Sequence, residues 1–573
     1  MNNVPDKYRI TVIILLMAAI AVILYIIALK IAYPIFQSTW LIDPLAEVKS
    51  LFPFYYIAIT IVALLGVACF VFRVESRGIH VLLVILMAVM LWYTHCYLAG
   101  YTWEPDGPRN LGVSLLIPEV LNGAVFHSSN YGASFPLSYI LEYTVANATG
   151  ASSSLYLHLM PLVNIVIFTL LCYTFTSSLF RPLTAFMATL LAILGMHYMI
   201  FIMGAHTYGV LLLLTILVLI WRKDTASRIL AILAIGAVII SHPISPILLG
   251  IFLSAALLAY FSRSMIKSRL VLAIILLVCM GGWFIWGWFL WPTLSSTQTI
   301  GEAIEAIMGN IFTGSLATIS HFLVGKAFYF DSIFNINRAI YALYGLTAAL
   351  AVLFVFARAR VCRKGARDFL SRLGGLTREE LFLAISMLLL IVLSVLLAEV
   401  FHTLIERGLT FIILTISGVI ASIVTRVYEP AKTNVRRFMA GSATVVIVFL
   451  TLAFPLVAYS IDAYTSFPVS EESGLKFLAE STPLDAKTLT TTSGPQISLY
   501  QPYVAKITNM LITTSFWESD ILIFRMTGYY YAAMRYDFSF EDNRLTRYRD
   551  AVNTNAAFNS VYINPTTHIF IRR

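Results

Sequence analysis

From Ile10 to Ala458 long apolar runs alternate with short polar turns. The runs cover 10–33, 53–72, 79–100, 155–178, 184–203, 207–221, 229–240, 244–261, 270–291, 339–357, 381–399, 409–425 and 438–458. One helix of about 20 apolar residues crosses a bilayer, so the pattern predicts about 13 spans. Residues 184–221 and 229–261 are long for one span and short for two. Basic residues flank both stretches, which demands an even number of crossings and makes each a helical hairpin. Their tips are Gly204-Ala205-His206-Thr207 and Ser241-His242-Pro243. Beyond 458 the pattern changes. A helix signal at 471–481 precedes strand-like alternation at 502–508, 520–526 and 559–572, the last of which reads as a hairpin. The expected fold is an all-α polytopic membrane protein carrying a small C-terminal α/β domain.

Composition agrees with that pattern. The 573 residues are 59% hydrophobic and 12% charged, with a mean hydropathy of +0.85. A soluble domain is about 25% charged, so soluble-enzyme, disordered and fibrous classes are excluded. Four cysteines lie in apolar runs and Cys362 in a basic loop, which leaves no disulfide framework. The net charge of +9 does not point to nucleic acid, because the excess sits in short loops between spans. With Met1 inside, the inner loops hold 22 Lys/Arg, and the outer loops before residue 459 hold five. This bias predicts a cytoplasmic N-terminus, a plasma-membrane location and an extracytoplasmic domain at 459–573. The first span has no small-residue cleavage site after it and reads as a retained anchor.

The candidate chemistry gathers on the outer side. Glu104-Pro105-Asp106 directly follows a span, where a carboxylate can take a proton from a hydroxyl and two can share a divalent cation. Pro105-Asp106-Gly107-Pro108 is also an ordinary reverse-turn sequence. Arg407 is an outer arginine beside an apolar run, suited to grip a phosphate with two hydrogen bonds. Pairing with Glu406 or Glu399, or snorkelling to lipid headgroups, explains it equally. His206 and His242 at the hairpin tips can hydrogen-bond a sugar or phosphate, or simply cap helices. Trp283, Trp286, Trp288 and Trp291 fit an interfacial belt. No phosphate-binding glycine loop occurs on the inner side.

The outer Glu-x-Asp after a span resembles the first outer loop of GT-C glycosyltransferases. So do Tyr131-x3-Phe135-Pro136-Leu137 and Ala146-Asn147-Ala148-Thr149-Gly150. Ser241-His242-Pro243, Glu406-Arg407 before an apolar run, and the ending Val561-Tyr562-Ile563-Asn564 are similar to features of prokaryotic, particularly archaeal, members. These multi-span enzymes, such as dolichyl-phosphate-mannose and aminoarabinose transferases, take sugars from polyprenyl-phosphate carriers. The resemblance implies a hexosyltransferase that moves a sugar from a polyprenyl-phosphate carrier to a lipid, glycan or protein acceptor on the extracytoplasmic face, with inversion. It implies Asp106 as base, Glu104 as its partner, and Arg407, His242, His206 and Arg109 on the lipid phosphate. A divalent cation, Mg or Mn, would sit on Glu104 and Asp106 if one is used.

The expected organisation has two N-terminal spans at 1–78 and a seven-helix core at 79–291 with outer loop 101–154. A second outer loop at 292–338, four spans at 339–458 and the tail at 459–573 follow. The two N-terminal spans depart from the simplest family plan, which leaves Asp43 and Glu47 as rival carboxylates. The competing reading is a polytopic transporter or a lipid-linked oligosaccharide flippase or polymerase. Transporters commonly carry internal repeats and midplane charges, and neither is evident here.

Overall fold

The computed structural model describes residues 4–39, 46–98, 111, 114, 136–151, 153–196, 205–222, 224–242, 244–259, 266–294, 377–396, 402–429 and 433–462. It also describes strand residues 488–490, 508–509, 521–525, 558–563 and 567–572. The helices, in chain order, are α1 (Val4–Thr39), α2 (Ala46–Ser50), α3 (Phe54–Val71), α4 (Arg77–Ala88), α5 (Thr94–Leu98), α6 (Leu137–Thr149), α7 (Ser153–Leu179), α8 (Pro182–Gly195), α9 (Ala205–Trp221), α10 (Thr225–Ser241), α11 (Ser245–Ala259), α12 (Ile266–Leu294), α13 (Arg378–Leu396), α14 (His402–Tyr428) and α15 (Thr433–Asp462). A π-helical turn, Val89–Tyr93, joins α4 to α5.

Twelve of the thirteen apolar runs coincide with these helices, and the run at 339–357 lies outside the described residues. Six helical segments are long and apolar enough to cross a membrane: 8–36, 54–71, 77–98, 155–179, 408–428 and 433–456. Five shorter apolar helices stand among them, and α9 packs chiefly against α10 and α7 rather than against α8 as the expected hairpin requires.

Local signals end the helices where the polar turns fall. Pro182 opens α8, where its missing N–H costs nothing. Asp224 caps α10, accepting from the Ser227 N–H at 2.7 Å and the Ser227 hydroxyl at 2.8 Å. Those two donors hold its carboxyl below the usual range. Thr377 and Glu380 exchange hydrogen bonds as a capping box at the start of α13. Gly150 ends α6 at φ +61°, a left-handed turn that favours glycine.

Side-chain contacts identify the two ends of the bundle. At one end the Tyr428 hydroxyl donates to the Val71 carbonyl, and Arg73 and Arg436 both donate to the Glu429 carbonyl. Thr184 and Thr425 meet there at 2.9 Å. Glu380 is wholly buried at this end, bound by Arg426 and by the Ser422 hydroxyl at 2.5 Å. At the opposite end the Trp92 indole donates to the Met196 carbonyl at 3.2 Å, tying the third span to the end of α8.

Large apolar side chains remain exposed along the outside, among them Leu233, Leu277, Phe438 and Val445. In water such faces would aggregate; in a bilayer they meet lipid.

The strands β1 (Thr488–Thr490), β2 (Thr508–Asn509), β3 (Ile521–Arg525), β4 (Phe558–Ile563) and β5 (Thr567–Arg572) form one mixed sheet of order β2-β1-β3-β5-β4. The expected hairpin is the antiparallel pair β4–β5, bulged between Ser560 and Tyr562. β1 was not expected from the pattern and pairs in parallel with both β2 and β3. The helix signal at 471–481 lies outside the described residues.

Candidate functional site

Two groups of buried polar side chains gather at the end opposite the basic turns. The first forms where α6 packs against α9 and α10. Helix α6 lies in the connection between the third span and α7, and its buried face is Ser138, Tyr139, Glu142 and Ala146. Glu142 is wholly buried and accepts a 2.8 Å hydrogen bond from the Ser114 hydroxyl on Oε2. Its Oε1 has no partner among the described residues. Burial pushes this carboxyl up to about 8, with Ser114 opposing the rise. Glu142 is therefore mostly protonated at neutral pH and able to donate as well as accept. Tyr156 and Tyr208 stand close enough to feel its charge.

His206 follows the first residue of α9, and His242 is the C-cap of α10 in extended conformation. Their rings lie 5.2 Å apart, inclined at 54°. The Ile244 N–H donates to His242 Nδ1 at 3.2 Å, so a neutral His242 carries its proton on Nε2. Gly209 makes this approach possible. A Cβ there would strike the Ser245 hydroxyl and lie 3.2 Å from the His242 Cβ.

The second group joins α2 to the third span. Glu47, wholly buried, meets His95 Nδ1 at 2.7 Å. Tyr56 lies within reach of the Glu47 charge, and its ring packs edge-on against Tyr55 at 5.5 Å.

The structure brings His206 and His242 together. Glu104, Asp106, Arg109 and Asp43 lie outside the described residues. Arg407 falls within α14, which begins at His402, several residues before the apolar run at 409. Glu47, a rival carboxylate in the sequence, pairs with an imidazole through Oε2. Among the described residues no group of three or more His, Cys, Asp or Glu gathers to hold a metal ion.

Sequence reasoning missed Glu142 and His95 as site residues. Glu142 repeats at helical spacing with Ser138 and Ala146, which places it on the buried face rather than in solvent. His95 is an ionisable group inside an otherwise apolar span, itself a functional signal.

No family model matches the chain, and no curated protein matches it. Among solved structures, it is similar to ArnT from Cupriavidus metallidurans bound to undecaprenyl phosphate, with a TM-score of 0.47 and 11% identity over 86% of this chain and 97% of that one. It is also similar to the oligosaccharyltransferase of Archaeoglobus fulgidus in complex with zinc and sulfate. There the TM-score is 0.46 and the identity 14%, over 86% of this chain and 73% of that one. Apo ArnT gives a TM-score of 0.44 at 11% identity.

Proposed function

We propose that this protein is a membrane glycosyltransferase of GT-C type that moves a sugar from a polyprenyl-phosphate carrier to an acceptor hydroxyl at the membrane surface. The observation that carries the reading is the meeting of His206 and His242 beside the buried Glu142 group, at the end opposite the basic turns. α9 and α10 fold back on each other across the short connection between Trp221 and Thr225, so the start of one and the end of the other deliver hydrogen-bonding rings to one place. The sequence places Glu104 and Asp106 on that same side, directly after the third span. The carrier class includes undecaprenyl phosphate, the molecule bound in the ArnT structure.

In this reaction Asp106 removes the acceptor's proton as its oxygen attacks the anomeric carbon, with Glu104 as its neighbour. The bond to the carrier phosphate breaks and the configuration inverts. Arg407, His242, His206 and Arg109 stabilise the charge that develops on the departing phosphate, where a pre-placed donor is worth most. Glu142 keeps its proton and supplies a neutral hydrogen bond in the same region. The sugar, and the choice among lipid, glycan and protein acceptors, are set by contacts beyond these.

The test uses the purified full-length protein in proteoliposomes with a radiolabelled polyprenyl-phosphate sugar. Transfer of label to an acceptor, with release of polyprenyl phosphate and no use of nucleotide sugar, is expected. Carriage of the intact lipid-linked sugar across the bilayer without bond cleavage would overturn the reading in favour of a flippase.

A further inference from the structure

The first two spans grip one short stretch of the third span from three directions. Tyr25, on α1, places its hydroxyl 3.1 Å from the Thr94 hydroxyl. Tyr55, on α3, donates to the Met90 carbonyl at 2.9 Å, and that carbonyl also accepts from the Thr94 hydroxyl at 2.6 Å. Glu47, on α2, holds His95 Nδ1 at 2.7 Å. Tyr25, Glu47, Tyr55, Thr94 and His95 are all buried.

Every target lies in, or just after, the π turn Val89–Tyr93. Such a turn takes in one extra residue, so the helix beyond it is rotated by about 100° relative to an uninterrupted α-helix. The wider turn also offsets backbone carbonyls from their usual donors, and here side chains supply donors instead. A wholly buried carboxylate–imidazole pair gives back much of its attraction as desolvation. What it supplies is one fixed geometry. The chain then leaves this gripped end at Leu98, itself wholly buried, and comes to Glu104 after six residues and Asp106 after eight. Six residues reach at most about 20 Å, so the rotation and tilt of the helix end limit where both carboxylates can stand.

We propose that the two N-terminal spans are a brace for the catalytic loop, and that Glu47 and His95 are its positioning residues. The role in catalysis rests on the glycosyl-transfer reading above; the bracing itself does not. The spans that depart from the simplest family plan thereby set the end of the third span for the carboxylates that follow it.

Two readouts on the full chain test this. In the transfer assay, Glu47→Gln and His95→Gln should each lower kcat by roughly 10- to 100-fold while donor KM stays unchanged, as expected when a base is displaced by about an ångström. The double variant should be no worse than either single one, because both break the same contact. His95→Asn keeps an N–H donor near the Nδ1 position and should recover part of the rate. The second readout needs no catalysis: an Asp106→Cys reporter is labelled with a membrane-impermeant thiol reagent, with and without Glu47→Gln. Cys69, Cys96, Cys172 and Cys279 are buried, and Cys362 in its basic loop is replaced by serine in every sample. The labelling rate should change several-fold when Glu47 is altered. Unchanged labelling, multiplied losses in the double variant, or lowered thermal stability with kcat intact would each overturn the brace. Altered labelling in a protein that transfers no sugar would sink the glycosyltransferase reading and leave the brace standing.

Discussion

His206 and His242 lie with ring centroids 5.2 Å apart, one at the start of α9 and the other at the end of α10, two helices that pack side by side. If this pair holds the carrier phosphate, His242→Ala removes one hydrogen bond to a charged group, about 1.5 kcal/mol. Donor affinity should then fall roughly tenfold. His206→Ala should cost a similar factor, and the two together less than the product, since the rings touch. Titration of donor binding in detergent measures this. Full multiplication of the two losses would show that the rings act at separate sites.

Glu142 gives a pH signature. In the folded protein its carboxyl releases its proton near 8, against 4.5 for an exposed glutamate. Between those values the unfolded chain binds fewer protons than the folded one, so stability falls as pH rises through that window and then levels. The loss is on the order of a few kcal/mol. Melting temperature followed from about pH 5 to about pH 8 should decline, and Glu142→Gln, which keeps a partner for Ser114, should flatten the decline. An identical slope in the variant would place the titration elsewhere.

The Glu380–Arg426 pair is the control at the opposite end of the bundle. Glu380→Ala strands a charged partner and removes half of a capping box, which should destabilise by about 3–5 kcal/mol. Donor affinity of the folded fraction should not change. A loss of affinity without a loss of melting temperature would mean that this end takes part in binding.

Much of this architecture is legible in the residues, and the parts that are not share a cause. Apolar runs bounded by arginines mark the helices because a bilayer allows few other solutions. Val561-Tyr562-Ile563 and His568-Ile569-Phe570 mark their hairpin by alternation. Thr488-Leu489-Thr490 is too short to alternate, and it is placed by parallel partners on both sides. His206 and His242 could be named from their helix ends, but their meeting follows from α9 folding back on α10, whereas the apolar pattern paired these helices with α8 and α11. The pairing of Glu47 with His95 depends on a π turn that no pattern of apolar residues announces. The burial of Glu142 follows from the packing of α6 on α9 and α10, which no single segment announces.

Arg407 carries the donor's phosphate charge in this account. Arg407→Ala should weaken donor binding by roughly 10- to 150-fold, the value of a charged hydrogen bond or two. Lysine retains the charge without the two-pronged geometry and should rescue in part. Unchanged affinity with lowered thermal stability would make Arg407 a structural partner of Glu399 or Glu406.

The central claim is that an acceptor hydroxyl loses its proton to Asp106 while a sugar leaves its lipid phosphate. The direct measurement is single-turnover transfer from a radiolabelled polyprenyl-phosphate sugar by Asp106→Asn and by the unaltered protein, with donor binding measured beside it. Asparagine keeps the size and loses the basicity, so turnover should fall by roughly 10²- to 10⁴-fold while donor affinity and melting temperature hold. Transfer by Asp106→Asn at the unaltered rate would contradict the account.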